Sequence, residues 1–303
     1  MQTMKNIDVH YHIAGGYRDR DGKNSLINTA ITNMINNQTT TVVIFPLNPR
    51  DPEKITLVNH ELAILANDEN LKHDFKYFYR PSQMDANTAE IIEKEILENN
   101  CSGIKLHPEA QRFSLLSEHC KKVIRLAGHY NVPVIIHTSL NFECPYAHPM
   151  EAIKLAEQFP QTNIILGHFA RLCPDNRKFI LNLRNFQKEE IISKIRDLDN
   201  LYIETSFNST PQGIEEIGNK IGFQKILFGS DYPYADPTKE KQKILQANIK
   251  QSQKELILFK NAQRLGLADA QGGWVLRQYQ ENPEELWKYI VKIKKQIVDE
   301  FWS

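Results

Sequence analysis

A chain of 303 residues with 37 basic and 37 acidic side chains has a formal net charge of zero, so it lacks the basic footprint with which a nucleic-acid-binding protein holds phosphates. No apolar run approaches the roughly 18 residues that a membrane-spanning helix needs, and the opening MQTMKNIDVHYHI has no apolar signal core followed by a small-residue cleavage site. Four scattered cysteines, Cys101, Cys120, Cys144 and Cys173, show no paired spacing; the expectation is a cytoplasmic protein with reduced thiols and a small-molecule substrate.

The first element, NIDVHYHI (6–13), alternates as a strand does. It is unusual in placing Asp8, His10 and His12 at i, i+2 and i+4, which predicts three polar groups on one strand face. A buried face of that kind is costly unless it binds something. TTVVIFPL (40–47), FKYFYR (75–80), GIKLHP (103–108), PVIIHTS (133–139), NIILGHFA (163–170), LYIETSF (201–207) and KILFGSDYP (225–233) follow as further β-branched or aromatic runs. Between them, segments such as SLINTAITNMINN, NTAEIIEKEILENN and LLSEHCKKVIRLAGHY repeat apolar residues three and four apart, as helices do.

Eight strands, each followed by a helix, predict an α/β protein of the (β/α)8 TIM-barrel class. An open doubly wound sheet would have fewer strands and a glycine-rich phosphate turn, which this sequence lacks. The stretch DAQGG (269–273) marks the one compositional break, giving a barrel over 1–268 and a C-terminal helical extension over 269–303. In the extension, Asn282 before Pro283 starts a helix with an apolar stripe of Leu286, Ile290, Ile293 and Ile297. That stripe either packs on the outside of the same domain or meets a second copy in a homodimer.

A barrel collects its reactive groups at the carboxyl ends of its strands. There the sequence offers His10 and His12, then Lys105 and His107, then His137, His168 and Asp231. A lone histidine is ordinarily a satisfied core or surface residue, but four imidazoles and a carboxylate at one depth form a ligand set. They suit a divalent ion of borderline softness, zinc first, with manganese, iron or cobalt as alternatives. Asp8, one step deeper, is expected to support the histidines rather than to bind.

Taken in order, the Asp-x-His-x-His of the first strand, GIKLHP, PVIIHTS, NIILGHFA, ILFGSDYP and KNAQRLGL resemble successive signatures of the amidohydrolase superfamily, in its amidohydrolase-related branch, over about residues 5–267. The branch includes metal-dependent hydrolases and non-oxidative decarboxylases. The resemblance implies a mononuclear metal held by His10, His12, His137 and Asp231, with His168 as a catalytic or supporting histidine. In other branches a carboxylated lysine on the fourth strand bridges two metals. For Lys105 that role stands beside a substrate-facing cation, a charge partner for a site acid and a structural ion pair. The branch often carries Gly-Gly soon after the strand-six histidine, whereas this chain continues GHFARLCPD, a bulkier loop in which Arg171 is a candidate clamp for a carboxylate.

The expected chemistry is hydrolysis of a small amide, lactone or ester, carrying a carboxylate, by water that the metal acidifies to a pKa of about 7. Asp231 would take the proton and return it to the leaving group, with His168 orienting the nucleophile or stabilising the oxyanion. The same ligands serve a lyase that removes carbon dioxide from an unsaturated or aromatic acid, or a barrel that binds without turnover. Arg80, ending the third strand, and Tyr232, following Asp231, join Lys105, His107 and Arg171 as candidate substrate contacts. Cys144 and Cys173 lie on rim loops without an identifiable base. His60, His73, His119 and His129 read as surface residues on helices, and the role of His148 is open. The loops AGGYRDRDGKN, NPRDPEK, RPSQMDANT and NFECPYAHP are expected to choose the substrate.

Overall fold

The computed structural model describes residues 4–13, 26–47, 51–141, 145–173, 183–268 and 272–301. Cys144, Trp302 and the loop 14–24 lie outside the described residues, as do parts of the loops at 48–54 and 141–149.

Eight strands run parallel and pair in chain order: β1 (Asn6–Ile13), β2 (Thr39–Pro46), β3 (Phe75–Tyr79), β4 (Gly103–Leu106), β5 (Val134–Ile136), β6 (Ile164–Leu166), β7 (Leu201–Glu204) and β8 (Ile226–Leu227). The sheet curls until its ends meet. Val9 N–H donates to Phe228 O (2.9 Å), Asp231 N–H to His10 O (2.8 Å) and His12 N–H to Tyr232 O (2.9 Å). Each strand leads to a helix, from Leu26–Asn37 after β1 to Pro237–Gln246 after β8, so the chain is a (β/α)8 barrel with helices outside.

Buried on both faces, the strands read as nearly continuous apolar runs. One face of the strands contributes Val43, Phe45, Phe78, Ile135, Ile165, Tyr202 and Leu227 to a cluster that fills the barrel; Leu267 and Ala262 join it from the segment after β8. The other face, with Ile44, Tyr77, Ile104, Ile136, Leu166 and Ile203, packs under the helices. Asn261 fixes this closing segment by donating to Phe223 O (2.8 Å) and Ile226 O (2.7 Å), so the KNAQRLGL stretch acts as a structural plug.

β1 matches its predicted limits and β2 and β3 lie within one residue of theirs, while the later strands are shorter: 133–139 contracts to Val134–Ile136 and 225–233 to Ile226–Leu227. The residues trimmed from these ends are those with chemistry, because the chain leaves the sheet to aim His137, His168 and Asp231 across the barrel mouth.

Leu286, Ile290, Ile293 and Ile297 of the helix Pro283–Phe301 are buried against this chain's own barrel helices. Tyr289 OH donates to Asp68 Oδ2 (2.7 Å), and Asp74, entering β3, accepts the N–H groups of Trp274 (3.0 Å) and Val275 (3.1 Å). No described helix is long and apolar enough to cross a membrane. Asp74 therefore caps the first helix of the extension. Asp74→Ala should cost about 1–2 kcal/mol, the usual range for a lost cap, read as a lower melting temperature with metal content unchanged.

Candidate metal centre

Asp8 pairs with Val42 and His12 with Phe45, so four steps along β1 match three along β2. One extra residue bulges out of β1 between them. This corrects the expectation that Asp8, His10 and His12 share a face: His10 and His12 meet, with Nε2 atoms 3.3 Å apart, and the bulge shifts Asp8 out of phase with His12. Asp8 instead accepts the N–H of His10 (3.1 Å) and of Ser230 (2.9 Å), tying β1 to the loop after β8. Burial pushes its pKa up to about 7.

Both histidines present the same nitrogen. His10 Nδ1 lies 2.9 Å from Glu204 Oε1 and His12 Nδ1 lies 3.1 Å from Pro46 O; both partners are acceptors, so both Nδ1 atoms carry the proton and both Nε2 atoms are lone pairs. Asp231 Oδ1 lies 3.2 Å from His10 Nε2 and 3.1 Å from His12 Nε2. Three lone-pair donors thus form a triangle with edges of 3.1 to 3.3 Å. Ligands about 2.1 Å from a common ion stand about 3.0–3.4 Å apart, so the donor set fits a small divalent ion. His168 joins on another side, and His10, His168 and Asp231 present ligand atoms within 4.8 Å of one another.

Burial raises the Asp231 carboxyl, but His10 and His168 beside it pull it well below the carboxylate range. Burial lowers His12 to about 4 and holds His168 and His137 below the histidine range. His10 differs: burial and Lys105 push it down, but Glu204 and Asp231 hold it above its ordinary value. The pull they exert on a proton there is one they would exert on any cation.

Glu204, at the end of β7, was not among the sequence candidates. It is fully buried and accepts four hydrogen bonds: Oε1 from His10 Nδ1 (2.9 Å), His168 N (2.7 Å) and Ser206 Oγ (2.8 Å), and Oε2 from Ser206 N (2.6 Å). The available signal was an acid in an apolar strand, LYIE.

After β6 the backbone makes a left-handed turn: His168, Phe169, Ala170 and Arg171 have φ of 54, 54, 49 and 60°. L-residues occupy this region at a cost of roughly 1–2 kcal/mol each. The turn is held by the bond from His168 N to Glu204 and by Phe169, whose ring is fully buried.

His137 stands one step from the triangle. Its Nδ1 is 2.9 Å from His168 Nε2 and its Nε2 is 3.2 Å from Glu109 Oε2, while its ring stacks on His107 (centroids 3.8 Å, 14°). His107 also caps a short helix, Pro108–Gln111, through Nδ1. Lys105 Nζ lies 3.1 Å from His10 Nε2 and 4.6 Å from the centre of the Phe45 ring; burial lowers its pKa to about 7. Arg80 is fully buried. Asn59 clamps its backbone, Nη1 donates to Leu47 O (2.8 Å), and Nε and Nη2 have no acceptor among the described residues.

Above these lies a cavity of about 290 Å³ whose walls include His12, His137, His168, Arg171, Asp231 and Tyr234. Tyr232 turns away to stack on Tyr11 (4.7 Å, 17°), and Tyr234 occupies the rim. His148 caps the helix Pro149–Gln158. Cys173 is buried, which raises its thiol pKa.

A family model described as amidohydrolase matches residues 70–265, beginning after the strand that carries His10 and His12. Among solved structures, a putative amidohydrolase from Staphylococcus aureus aligns at 20% identity and a TM-score of 0.67, covering 86% of this chain and 99% of that one. A 2,6-dihydroxybenzoate decarboxylase from Rhizobium aligns at 17% and 0.66, over 86% and 98%. A dihydroxybenzoic acid decarboxylase from a Polaromonas species, with bound manganese and 2-nitroresorcinol, aligns at 18% and 0.66, over 86% and 96%. No curated protein matches by sequence.

The close packing of the centre can be tested at Gly229. A Cβ there would collide with Glu204 Oε2 and lie 2.8 Å from His10 Cβ. Gly229→Ala should destabilise the fold by about 1–3 kcal/mol, as overpacking does, and weaken divalent-metal binding in titrations of the folded variant. Unchanged metal affinity would show that the Glu204–His10 contact does not organise the centre.

Proposed function

Since this chain belongs to the amidohydrolase family, we propose that it is a metal-dependent enzyme that hydrolyses a small amide, lactone or ester carrying a carboxylate. One divalent ion, zinc ahead of manganese, iron or cobalt, would be held by His10, His12 and Asp231, with the His137–His168 pair completing the site. When bound, the ion supplies Lewis acidity, enough to bring the pKa of water to about 7. The observation that carries the reading is Asp231: Oδ1 faces both Nε2 atoms, and Oδ2 lies 3.9 Å from His168 Nδ1. That second oxygen accepts the proton of the attacking water and returns it to the leaving group. His168, neutral through burial, orients the water.

Charge supports an anionic substrate. Lys105 and Arg80 are buried cations whose charges act on His107 in the cavity wall, and Arg171 forms part of that wall. Two guanidinium nitrogens of Arg80 without an acceptor among the described residues are expensive to bury, and a substrate carboxylate would offset that cost. His107 and the rim tyrosine Tyr234 would border the rest of a small ligand, while Tyr232, stacked on Tyr11, would not.

Decarboxylation of an aromatic or unsaturated acid is the second reading, favoured by the decarboxylases among the similar structures. In that case Asp231 would pass a proton taken from water to the ring or vinyl carbon as that carbon's bond to the carboxylate breaks and carbon dioxide leaves.

Chelator-treated protein reloaded with zinc or manganese and assayed against lactones, amides and hydroxybenzoates separates the two, since only the second releases carbon dioxide. Asp231→Asn should lower turnover by at least about 10²-fold, the scale of general acid–base catalysis; a variant that keeps most of its activity removes the assigned role. Arg80→Met should raise KM about tenfold for carboxylate-bearing substrates and leave neutral analogues unaffected, and an equal effect on both would point to a structural arginine.

A further inference from the structure

The residues that follow β7 invert the usual partition of polar and apolar side chains. Thr205, Ser206, Asn208 and Ser209 are buried, whereas Phe207 between them is 36% exposed. Three of the polar residues are tied into the barrel: Thr205 Oγ1 accepts Gly229 N–H (3.2 Å), Ser206 donates to the Glu204 carboxylate from both its N–H and its hydroxyl, and Ser209 Oγ donates to Thr205 O (2.6 Å). The Phe207 ring borders the cavity over the candidate metal centre, nearly perpendicular to His168 (centroids 6.4 Å, 75°). We propose that Phe207 is a specificity-determining residue: its ring is the apolar wall on which the substrate lays a flat hydrocarbon group, aryl or conjugated. This rests on the reading of the cavity as the substrate site of a metal-dependent enzyme.

Two costs fall on this one residue. Its backbone is left-handed, with φ of 62°, a region that glycine enters freely and a bulky side chain rarely. The N–H is held there by Glu240 Oε2 (3.2 Å), a buried carboxylate of the helix Pro237–Gln246, which Lys243 Nζ holds in turn (2.7 Å). A residue suited to the turn alone would be glycine or asparagine. The second cost is apolar surface left in water, which an apolar ligand removes by covering the ring. Strain kept at the edge of a cavity belongs with function rather than with packing.

The remaining wall fits a flat group. Among the described residues, six of the eleven that line the cavity carry planar rings, so a ligand meets faces and edges that a planar group can match. Tyr234 is the other exposed aromatic side chain there, edge-on to His12 at 84°. Since His12 faces Asp231 Oδ1 and His168 faces Oδ2, one aromatic side chain stands beside each half of the reacting position. Offset and edge-to-face ring contacts add to simple burial. A hydroxylated aliphatic ligand would set polar groups against Phe207 and gain nothing from it.

Benzoate, cyclohexanecarboxylate and acetate carry one charge and differ in the group behind it, so they serve as probes. Titrated by calorimetry into zinc-reloaded protein, benzoate should bind about two- to tenfold more tightly than cyclohexanecarboxylate, and acetate most weakly. Phe207→Gly removes the ring at a φ that glycine adopts freely, so this variant should fold and take up zinc as the wild type does. It should lose about 10- to 100-fold in benzoate affinity, the worth of one covered aromatic side chain, with acetate binding unchanged. Unchanged benzoate affinity in the variant, or an equal loss for acetate, overturns the proposal. So does a zinc-loaded wild type that binds benzoate no better than cyclohexanecarboxylate, which needs no variant and leaves the metal-dependent reading intact. A wild type that binds no divalent metal removes that reading and this inference together.

Discussion

Burying the Glu204 carboxylate costs several kcal/mol unless every lone pair is engaged, and it is engaged by three separate strands' worth of chain. His10 comes from β1, the backbone N–H of His168 follows β6, and Ser206 follows β7. These elements are distant in sequence and adjacent only because the sheet closes on itself. The bond from His10 fixes the imidazole tautomer, which turns Nε2 toward Asp231; the bond from His168 N anchors the turn that carries the second imidazole. Barrel closure and ligand geometry are therefore one constraint. Loosening the junction of β8 with β1 would separate Asp231 from His10, since Asp231 N–H donates to His10 O.

The turn after β6 shows what that constraint sustains. Four consecutive L-residues at positive φ store several kcal/mol by the usual cost of left-handed backbone. Glycine would adopt these angles freely, and the branch that the sequence resembles often carries Gly-Gly near here; this chain departs from that pattern with Phe169, Ala170 and Arg171. The bulkier residues return something: the buried Phe169 ring contributes about 1.5–3 kcal/mol of apolar burial, and Arg171 reaches the cavity wall. The local sequence disagrees with the local conformation at the catalytic rim, which is where strain is ordinarily retained.

Sequence periodicity was enough to find the eight strands, because strands buried on both faces leave long β-branched runs that polar loops interrupt. It placed His10, His12, His168 and Asp231 at one end because the carboxyl end of each strand is defined by chain direction alone. It could not see the bulge in β1, which depends on how β1 pairs with β2 and moves Asp8 out of phase. Glu204 and Glu109 also escaped, for a physical reason. A carboxylate that orients a histidine is recognised by what it touches, and Glu109 meets His137 across 28 residues while Glu204 meets His10 across 194. Tyr232 and Tyr234, two residues apart, exchanged places because a turn and not a strand carries them.

The charges at the mouth then constrain the ligand. Asp231 and Glu204 are held ionised by their neighbours, and their two negative charges act on the Lys105 ammonium. Lys105, lowered to about 7, and Arg80, lowered to about 10, are both depressed by burial, so the protein already strains to keep cations in this volume. With a divalent ion in the triangle the balance becomes positive, in a region where burial leaves little water to screen it. A neutral substrate leaves that excess in place. A ligand bringing a carboxylate reduces it and relieves Lys105, which couples binding to charge neutralisation.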